Sequence, residues 1–285
     1  MPHLSKALVT GASSGIGREL VRQLVRDRGM TVLATARRGD RLAELAQELP
    51  AGRVLILAGD LADPAFRATL WSHAETVLGR VDLLVNNAGV GNYSEFIDQE
   101  PAAIAGMLAL NLEALLDLTQ RAALHMKVRG GGQILQISSV LGFMGMPASA
   151  VYTATKHAVN GFTKSLRYEL RSTGVRVWAA CPGRTESEFR AVALGERAEL
   201  KRLPRGEPTE RVVRSIVRQL DGRSVLFAPT WKSWAVVMLA TYAPGLLDWL
   251  IGRFAVGSHV HVLRSATPAG AGETPGVSPR RSSTP

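Results

Sequence analysis

The chain has 285 residues, 46% of them hydrophobic and 20% charged, with a net charge of +10. This composition excludes a disordered or fibrous protein and allows a sizeable core. A single cysteine, Cys181, excludes an intrachain disulfide and a cysteine-rich metal site, so we expect no metal ion and a reducing, cytoplasmic location. Lysines and arginines are spread along the chain without a block of like charge, which predicts a solvated basic surface and no nucleic-acid partner.

Short apolar runs that are typical of strands alternate with helical patterns along most of the chain. Asp63-Pro64 and Pro208-Thr209 predict helix starts between such runs. Continuous apolar strands separated by helices predict a parallel sheet that is buried on both faces. The predicted fold is therefore α/β: a doubly wound, Rossmann-like, mostly parallel seven-stranded sheet with helices on both faces. The predicted strands are residues 7–11, 31–36, 54–59, 82–89, 133–139, 175–183 and 224–229.

The C-terminal part of the chain does not follow this alternation. Residues 231–256 are apolar and aromatic and are interrupted by Pro244-Gly245. Residues 265–285 are almost entirely small, proline or polar, which predicts disorder. We expect one folded domain over 1–230, an apolar helical segment over 231–264, and a disordered tail. Three interpretations of the apolar segment stay open: a substrate lid, a subunit contact, or helices in a membrane interface rather than a full crossing.

A glycine-rich turn, TGASSGIG, joins the first predicted strand to the first helix. Backbone N–H groups can approach a pyrophosphate closely only where glycines leave room, and a helix N-terminus favours the negative charge. A tight turn that merely packs the helix on the strand is the alternative. The predicted phosphate-binding residues are Gly11, Ser13, Ser14, Gly15, Ile16 and Gly17.

The end of the second strand indicates which nucleotide binds. An acid about 20 residues beyond the glycine turn would bind the ribose hydroxyls of NAD, whereas arginine accommodates the 2′-phosphate of NADP. Here Ala36 is followed by Arg37 and Arg38, and the first acid is Asp40. The sequence favours NADP(H), although two arginines after a strand can also be surface charge.

Polar residues follow the third and fourth strands, at the sheet edge where ligands bind in such folds. Asp60 can accept a hydrogen bond from an adenine amino group. The paired asparagines Asn86 and Asn87 either stabilise a loop or line the cofactor. The predicted cofactor contacts here are Asp60, Leu61, Asn87, Ala88 and Gly89.

Tyr152 and Lys156 are four residues apart at the start of a predicted helix, so their side chains share one face. An adjacent cation favours a phenolate and so shifts the tyrosine pKa toward a value useful for general acid/base catalysis. Ser138 and Ser139 end the strand before that helix. A core tyrosine with a surface lysine is the structural alternative.

These motifs, in this order and spacing, resemble those of the short-chain dehydrogenase/reductase family over roughly residues 4–228. The matching segments are TGASSGIG, GDL, NNAG, YTATK and Cys181-Pro182-Gly183. The resemblance implies a catalytic tetrad, an arginine that selects NADP, an adenine contact and an asparagine that lines the cofactor. The residues concerned are Asn111, Ser139, Tyr152 and Lys156 for the tetrad, then Arg37, Asp60 and Asn87.

The resemblance also implies an NADP(H)-dependent oxidoreductase that interconverts a carbonyl and a secondary alcohol. Tyr152 would transfer the proton and Ser139 would orient the substrate oxygen. Lys156 would lower the tyrosine pKa and hold the nicotinamide ribose, and Asn111, in the fourth helix, would hold a water that links Lys156 to solvent. After Pro182 and Gly183, either Thr185 or Ser187 would contact the nicotinamide, which departs from the family's usual spacing.

Substrate and assembly are predicted only by class. Phe143, Met144 and Met146 lie in the segment 141–146, which with 184–205 would wall the substrate pocket, and they favour a lipophilic carbonyl or alcohol. The family resemblance implies a homodimer or homotetramer through the fourth and fifth helices. The alternative is a catalytically silent nucleotide-binding scaffold or a redox-sensing interaction protein.

Overall fold

The computed structural model describes residues 4–188 and 206–256, without the side chains of 254–256. Within these residues, seven strands form one parallel sheet in the order β3-β2-β1-β4-β5-β6-β9, and β7 and β8 form a separate two-residue pair. The direction of winding reverses between β1 and β4, which is where α/β sheets bind ligands. The strands are β1 (Lys6–Thr10), β2 (Thr31–Ala36), β3 (Val54–Ala58), β4 (Leu83–Asn86), β5 (Gly132–Ile137), β6 (Val175–Ala180), β7 (Thr185–Glu186), β8 (Glu207–Pro208) and β9 (Leu226–Phe227).

Helices connect the strands, and two predicted helix starts are confirmed. The Asp63 side chain accepts a hydrogen bond from the Ala65 N–H at 2.9 Å, with Pro64 as the first helical residue. Another helix begins directly after Pro208. The helices are α1 (Gly15–Arg26), α2 (Gly39–Gln47), α3 (Pro64–Leu78), α4 (Pro101–Leu108), α5 (Ala114–Val128), α6 (Ala150–Glu169), α7 (Thr209–Arg218), α8 (Trp231–Tyr242) and α9 (Pro244–Leu250).

The core lies on both faces of the sheet, as the continuous apolar strands predict. Val9 of β1 packs with residues of α1, α2 and α7 on one face, whereas its neighbour Leu8 packs with α3 and α5 on the other. Because successive side chains of a strand point to opposite faces, a sheet covered twice needs apolar residues at both positions. The predicted doubly wound fold is confirmed.

Local departures concern ends and irregular turns. Several strands end up to three residues before their predicted ends, because the following residues turn away into the loops of the ligand-binding edge. The short β7–β8 pair was not predicted. Asn111 does not lie in a regular fourth helix but in a π-helical turn, Ala109–Glu113, between α4 and α5.

The predicted apolar C-terminal segment forms α8 and α9, bent by 117° at Pro244. The helix from Pro101 to Val128 is long and apolar enough to cross a membrane, and 33% of its apolar 18-residue window is buried inside the fold. The bent pair α8–α9 also meets the criterion if it is counted as one broken span. The predicted disordered tail, residues 265–285, lies outside the described residues.

Candidate active site

The glycine turn lies at the carboxyl end of β1 and is held by the loop after β4. The Asn87 side-chain amide donates to the Thr10 and Gly11 carbonyls at 2.9 and 3.2 Å. The Thr10 hydroxyl accepts from the backbone N–H groups of Asn87 and Ala88 at 2.9 and 3.0 Å. Asn87 therefore fixes the shape of the turn.

Close packing explains why this turn needs glycine. A Cβ on Gly17 would lie 2.3 Å from the Gly11 carbonyl oxygen and 2.4 Å from Asn87 Nδ2. Gly11 and Gly15 adopt positive φ angles of 66° and 53°. The side-chain-free surface at the start of α1 is a cradle that fits a pyrophosphate bound by backbone N–H groups.

The other predicted residues of the turn have different positions. Ser14 is the N-cap residue of α1, and Ile16 packs against the core on the α1 side of the sheet. Ser13 is buried, and its hydroxyl accepts hydrogen bonds from the Arg38 guanidinium at 3.1 and 3.3 Å. The turn is thus connected directly to the arginines that follow β2.

The arginines after β2 form an anion-binding cluster. Arg38 and Arg41 both pair with the Glu188 carboxylate, at 3.1 and 2.5 Å. Arg37 is exposed at the end of β2, and Asp40 lies in the first turn of α2. The donor set of hydroxyl and guanidinium groups fits a phosphate. Sequence reasoning identified Arg37 and Arg38 but missed Arg41 and Glu188.

After β3 in the chain, the predicted adenine contact Asp60 is exposed. One of its carboxylate oxygens accepts a hydrogen bond from the Ala62 N–H at 2.9 Å. The Leu61 side chain is buried in the core on the α3 side, so only its backbone can face a cofactor. Gly89 lies against Asn111, since a Cβ there would be 3.1 Å from Asn111 Oδ1.

Three of the predicted catalytic side chains meet at the carboxyl end of β5. A side-chain hydrogen bond joins Tyr152 to Ser139. Lys156 Nζ lies 5.5 Å from the centroid of the Tyr152 ring and donates to the Ile137 carbonyl at 2.8 Å. The exposed fractions of Ser139, Tyr152 and Lys156 are only 9%, 9% and 6%.

Burial controls the protonation of this group. Desolvation raises the pKa of Tyr152, the nearby Tyr93 adds to the rise, and the hydrogen bond from Ser139 opposes it. Burial also lowers the pKa of Lys156 to about 8. Lys156 is not among the causes of the Tyr152 shift, so the predicted lowering of the tyrosine pKa by Lys156 is not seen in this structure, where burial dominates.

Asn111 is tied to the loop after β4 rather than to Lys156. Its side-chain amide exchanges two hydrogen bonds with the backbone of Val90, both 2.8 Å long, and its Nδ2 lies 3.4 Å from Thr155 Oγ1. The Thr155 hydroxyl in turn donates to the Tyr152 carbonyl at 2.7 Å. Through the Thr155 hydroxyl, Asn111 in the π-helical turn is thus connected to the backbone of Tyr152.

The loop after β6 runs along the carboxyl edge of the sheet between Ser139 and the glycine turn, and we call this edge the groove. The Pro182 carbonyl accepts from the Val140 N–H at 3.0 Å, next to Ser139. The Thr185 hydroxyl donates to the Gly183 carbonyl at 3.3 Å. Ser187 lies over the glycine turn, since a Cβ on Gly15 would be 2.9 Å from Ser187 Cβ. Of the two candidates left open, Ser187 thus lies at the phosphate end.

Asn160 is a buried residue that sequence reasoning missed. Its Oδ1 accepts from the Ser138 hydroxyl at 2.6 Å, and its Nδ2 donates to the Gly142 carbonyl at 3.0 Å. A Cβ on Gly142 would lie 2.3 Å from Asn160 Nδ2. Asn160 therefore fixes the turn that presents Ser139. Its position on the same helical face as Lys156, four residues on, was the available signal.

One predicted substrate wall is visible. Phe143 and Met144 are half-buried and Met146 is exposed beyond the 3₁₀ turn that follows Ser139. Helix α8 contacts this turn, and Ser233 at its start packs near Gly183. Most of the other predicted wall, 184–205, lies outside the described residues. Among the described residues, no cluster of three or more histidine, cysteine or acidic side chains could hold a metal ion.

Known proteins that are similar to this chain in sequence and fold include short-chain dehydrogenases. A family model for short chain dehydrogenases matches residues 5–197. A 3alpha-hydroxysteroid dehydrogenase from Mediterraneibacter gnavus is 35% identical over 209 residues, which are 72% of this chain and 83% of that protein. A solved short-chain dehydrogenase from Sphingobium yanoikuyae in complex with NADPH is 28% identical, with a TM-score of 0.73 over 95% of this chain and 99% of that chain.

A second solved structure, the bulky-bulky ketone specific alcohol dehydrogenase from Comamonas testosteroni, is 26% identical, with a TM-score of 0.70 over 87% of this chain and 95% of that chain. The family match covers more than half of the 285 residues and includes the glycine turn and the Tyr152–Lys156 pair. The chain belongs to the short-chain dehydrogenase/reductase family of oxidoreductases.

Proposed function

We propose that this protein is an NADP(H)-dependent oxidoreductase that interconverts a lipophilic carbonyl compound and its secondary alcohol. The observation that carries the proposal is the buried group formed by Ser139, Tyr152 and Lys156, at the same carboxyl edge of the sheet as the glycine turn. A phenol, a hydroxyl and an ammonium at the ligand-binding edge of a parallel sheet suit proton transfer to a carbonyl oxygen.

The chain's own residues have separate roles in this reaction. Tyr152 donates its proton to the carbonyl oxygen, and its raised pKa keeps the phenol protonated at neutral pH. Ser139 binds the same oxygen and orients the substrate. Lys156 binds the nicotinamide ribose and keeps a positive charge beside the phenol. The bound cofactor supplies the hydride.

The arginine cluster supports NADP(H) over NAD(H). Arg37, Arg38 and Arg41 follow β2, where an acid would be needed to bind the ribose hydroxyls of NAD. Arg38 also bonds Ser13 in the glycine turn, so the guanidinium lies at the border between the ribose and phosphate positions. The Sphingobium relative was solved with NADPH, which agrees with this choice.

A lipophilic substrate is supported by the pocket wall and by two relatives. Phe143 and Met144 lie beside the catalytic turn, and apolar α8 packs next to it. The relatives' names include a hydroxysteroid dehydrogenase and an alcohol dehydrogenase specific for bulky ketones. Thr185, whose side chain lies beside Gly183, is our proposed nicotinamide contact together with Pro182.

The C-terminal helices are proposed to be a pocket lid that also contacts a membrane surface from the cytoplasm. The exposed fractions of Trp231, Trp234 and Trp249 are 67%, 58% and 61%, and these side chains are typical of helices at a lipid interface. Full-length protein should sediment with anionic liposomes, and Trp234→Ser with Trp249→Ser should release it. Equal sedimentation of both proteins would contradict the membrane contact.

A homodimer or homotetramer is proposed through the predicted fourth and fifth helices, which correspond to α4 with α5 and to α6 in the structure. Leu124 and Val128 of α5 are exposed, although they are large and apolar. Sedimentation equilibrium should give two or four chains per particle, and a monomer at micromolar concentration would contradict the proposed assembly.

A redox-sensing scaffold is the second candidate function. Burial raises the pKa of the Cys181 thiol to about 12, which opposes a reactive thiolate.

Cofactor titration with an activity screen tests the central proposal. NADPH should bind at least about tenfold more tightly than NADH in calorimetry, because the guanidinium groups form charge-assisted bonds to the 2′-phosphate. Steroid ketones, long-chain aldehydes and acetoacetyl thioesters should then be screened for NADPH oxidation. Equal affinity for both cofactors would contradict the NADP assignment, and no turnover across the panel would favour the scaffold.

A further inference from the structure

An acid of this chain already occupies the arginine cluster. Glu188 lies just beyond β7, and its two carboxylate oxygens approach Arg41 at 2.5 and 2.6 Å. One of them also accepts from Arg38 at 3.1 Å. Arg38 uses another nitrogen to bond Ser13 in the glycine turn. A single carboxylate is thus held by two guanidinium groups.

The backbone fixes this acid across the groove. β7 pairs with β8, and the Thr209 hydroxyl donates to the Glu186 carbonyl. Ser187 then packs over Gly15 at the glycine turn. Glu188 is two residues beyond β7, and this anchored strand brings its carboxylate within hydrogen-bonding distance of both arginines.

The carboxylate is charged when it binds there. Hydrogen bonds from Arg41 and Arg38 hold the pKa of the Glu188 carboxyl below its usual range, so it is ionised at neutral pH. The Glu188 carboxylate is therefore an anion bound to the guanidinium groups of Arg38 and Arg41, which in the proposed function bind the cofactor's 2′-phosphate. A 2′-phosphate and this carboxylate cannot both accept the same guanidinium N–H donors.

We propose that Glu188 is a specificity-determining residue that competes with the cofactor's 2′-phosphate for Arg38 and Arg41. The inference rests on the proposed use of these arginines for NADP(H). A nucleotide with a 2′-phosphate has to displace Glu188 from both arginines, and it then lies near a repelling carboxylate. A nucleotide without that phosphate leaves the pairs in place. Glu188 therefore reduces the preference that the arginines create.

The size of the effect follows from exposure. The side chains of Arg38, Arg41 and Glu188 are 34%, 34% and 44% exposed, so water and salt screen these pairs. Glu188 contacts Arg41 with both carboxylate oxygens and Arg38 with one. Removing exposed ion pairs of this kind corresponds to a change in affinity for the 2′-phosphorylated nucleotide of about threefold to tenfold. The effect should fall on the 2′-phosphate alone.

Two fragments of the cofactor separate this effect from general changes in charge. Adenosine 2′,5′-bisphosphate carries the discriminating phosphate, and 5′-AMP lacks it. Both are titrated by calorimetry into wild type, Glu188→Gln and the control Glu186→Gln. The control removes the same charge from an exposed side chain two residues away. Glu188→Gln should bind the bisphosphate about threefold to tenfold more tightly and 5′-AMP unchanged, while Glu186→Gln should match wild type.

The other outcomes overturn the inference in recognisable ways. Weaker bisphosphate binding by Glu188→Gln would mean that Glu188 orders the arginines for the phosphate. Weaker 5′-AMP binding would make Glu188 a ribose ligand, and an equal gain for both fragments or for both variants would indicate a general charge effect. If wild type does not prefer the bisphosphate to 5′-AMP, the proposal that the protein uses NADP(H) fails. In that case the proposed competition by Glu188 is still supported if Glu188→Gln prefers the bisphosphate, and it is overturned if the variant shows no preference either.

Discussion

The two ends of the cofactor groove are built differently. At the catalytic end, Tyr152 and Lys156 are nearly inaccessible to water, and Lys156 is held by a backbone carbonyl. At the adenosine end, Arg38 and Arg41 are about a third exposed and bind another charged side chain. Burial strengthens electrostatic interactions and shifts pKa values, whereas exposed pairs contribute little and are screened.

The contrast separates the chemical step from the choice of nucleotide. In the proposed mechanism the buried end controls proton transfer, so a change there should alter rate or proton affinity by large factors. The exposed end is proposed to control which nucleotide binds, so changes there should be small and sensitive to salt. The four predictions that follow test this division, from the largest expected effect to the smallest.

Tyr152→Phe removes the proposed proton donor without removing the buried ring. Turnover should fall by roughly two to four orders of magnitude, the scale expected for a lost general acid. NADPH affinity in calorimetry should change little, because the arginines and the glycine turn are untouched. A control, Tyr168→Phe, alters an exposed tyrosine of α6 and should keep wild-type turnover. Wild-type turnover in Tyr152→Phe would remove tyrosine from the mechanism.

Lys156 gives the buried end a specific dependence of stability on pH. Its pKa is lowered to about 8 in the fold from 10.5 in an unfolded chain. Between these two pH values the unfolded state binds more protons than the folded state. The free energy of unfolding, which the burial of a charged lysine lowers below about pH 8, therefore rises as the pH approaches 10. The contribution of Lys156 to the rise should be on the order of 2 kcal/mol between pH 7.5 and 9.5, since one pKa unit corresponds to about 1.4 kcal/mol.

Denaturant unfolding at pH 7.5 to 9.5 measures this rise, below the range in which tyrosines of the unfolded chain ionise (about pH 10). Lys156→Met should remove this rise, because methionine has no proton to lose. What remains should be a fall in stability, because burial raises the pKa of the Cys181 thiol to about 12 and only the unfolded chain loses that proton in this range. Lys164→Met, on the same helix but exposed, should keep the rise. A profile that is unchanged by Lys156→Met would mean that the lysine is not buried as a titrating group.

The sequence predicted the parts of this groove that depend on local pattern. Continuous apolar runs predicted the strands, and Gly11, Gly15 and Gly17 identified the turn because only glycine fits there. Partnerships across long separations had no such signal. Glu188 meets Arg41 from 147 residues away. The direction of the Tyr152 pKa shift also depends on burial, which a four-residue spacing does not contain.

Asn160 tests whether a residue of the buried end that escaped sequence reasoning positions the catalytic turn. Asn160→Ala leaves the Ser138 hydroxyl and the Gly142 carbonyl without their partner, which should destabilise the fold by about 1–3 kcal/mol and lower turnover. Thr163→Val removes a buried hydroxyl that donates to the Val159 carbonyl within α6. If both variants lose stability but only Asn160→Ala loses kcat at unchanged NADPH affinity, Asn160 is a positioning residue. Equal kcat losses would leave it a purely structural role.

The salt dependence of cofactor binding should distinguish the exposed end from the buried end, and it is the smallest of the four expected effects. The Debye length falls from about 10 Å at 0.1 M to about 3 Å at 1 M, so binding through exposed guanidinium groups weakens as salt rises. Raising KCl from about 0.1 M to about 1 M should weaken NADPH binding by about threefold to tenfold and NADH binding by less than about twofold. In Arg38→Ala the NADPH titration should have the shallower slope of NADH, because one of the screened contacts is gone. Fluorescence titration of both cofactors at four salt concentrations measures these slopes. Parallel slopes in the wild type would show that the arginine cluster does not bind the 2′-phosphate, and the contrast between the two ends of the groove would then rest on burial alone.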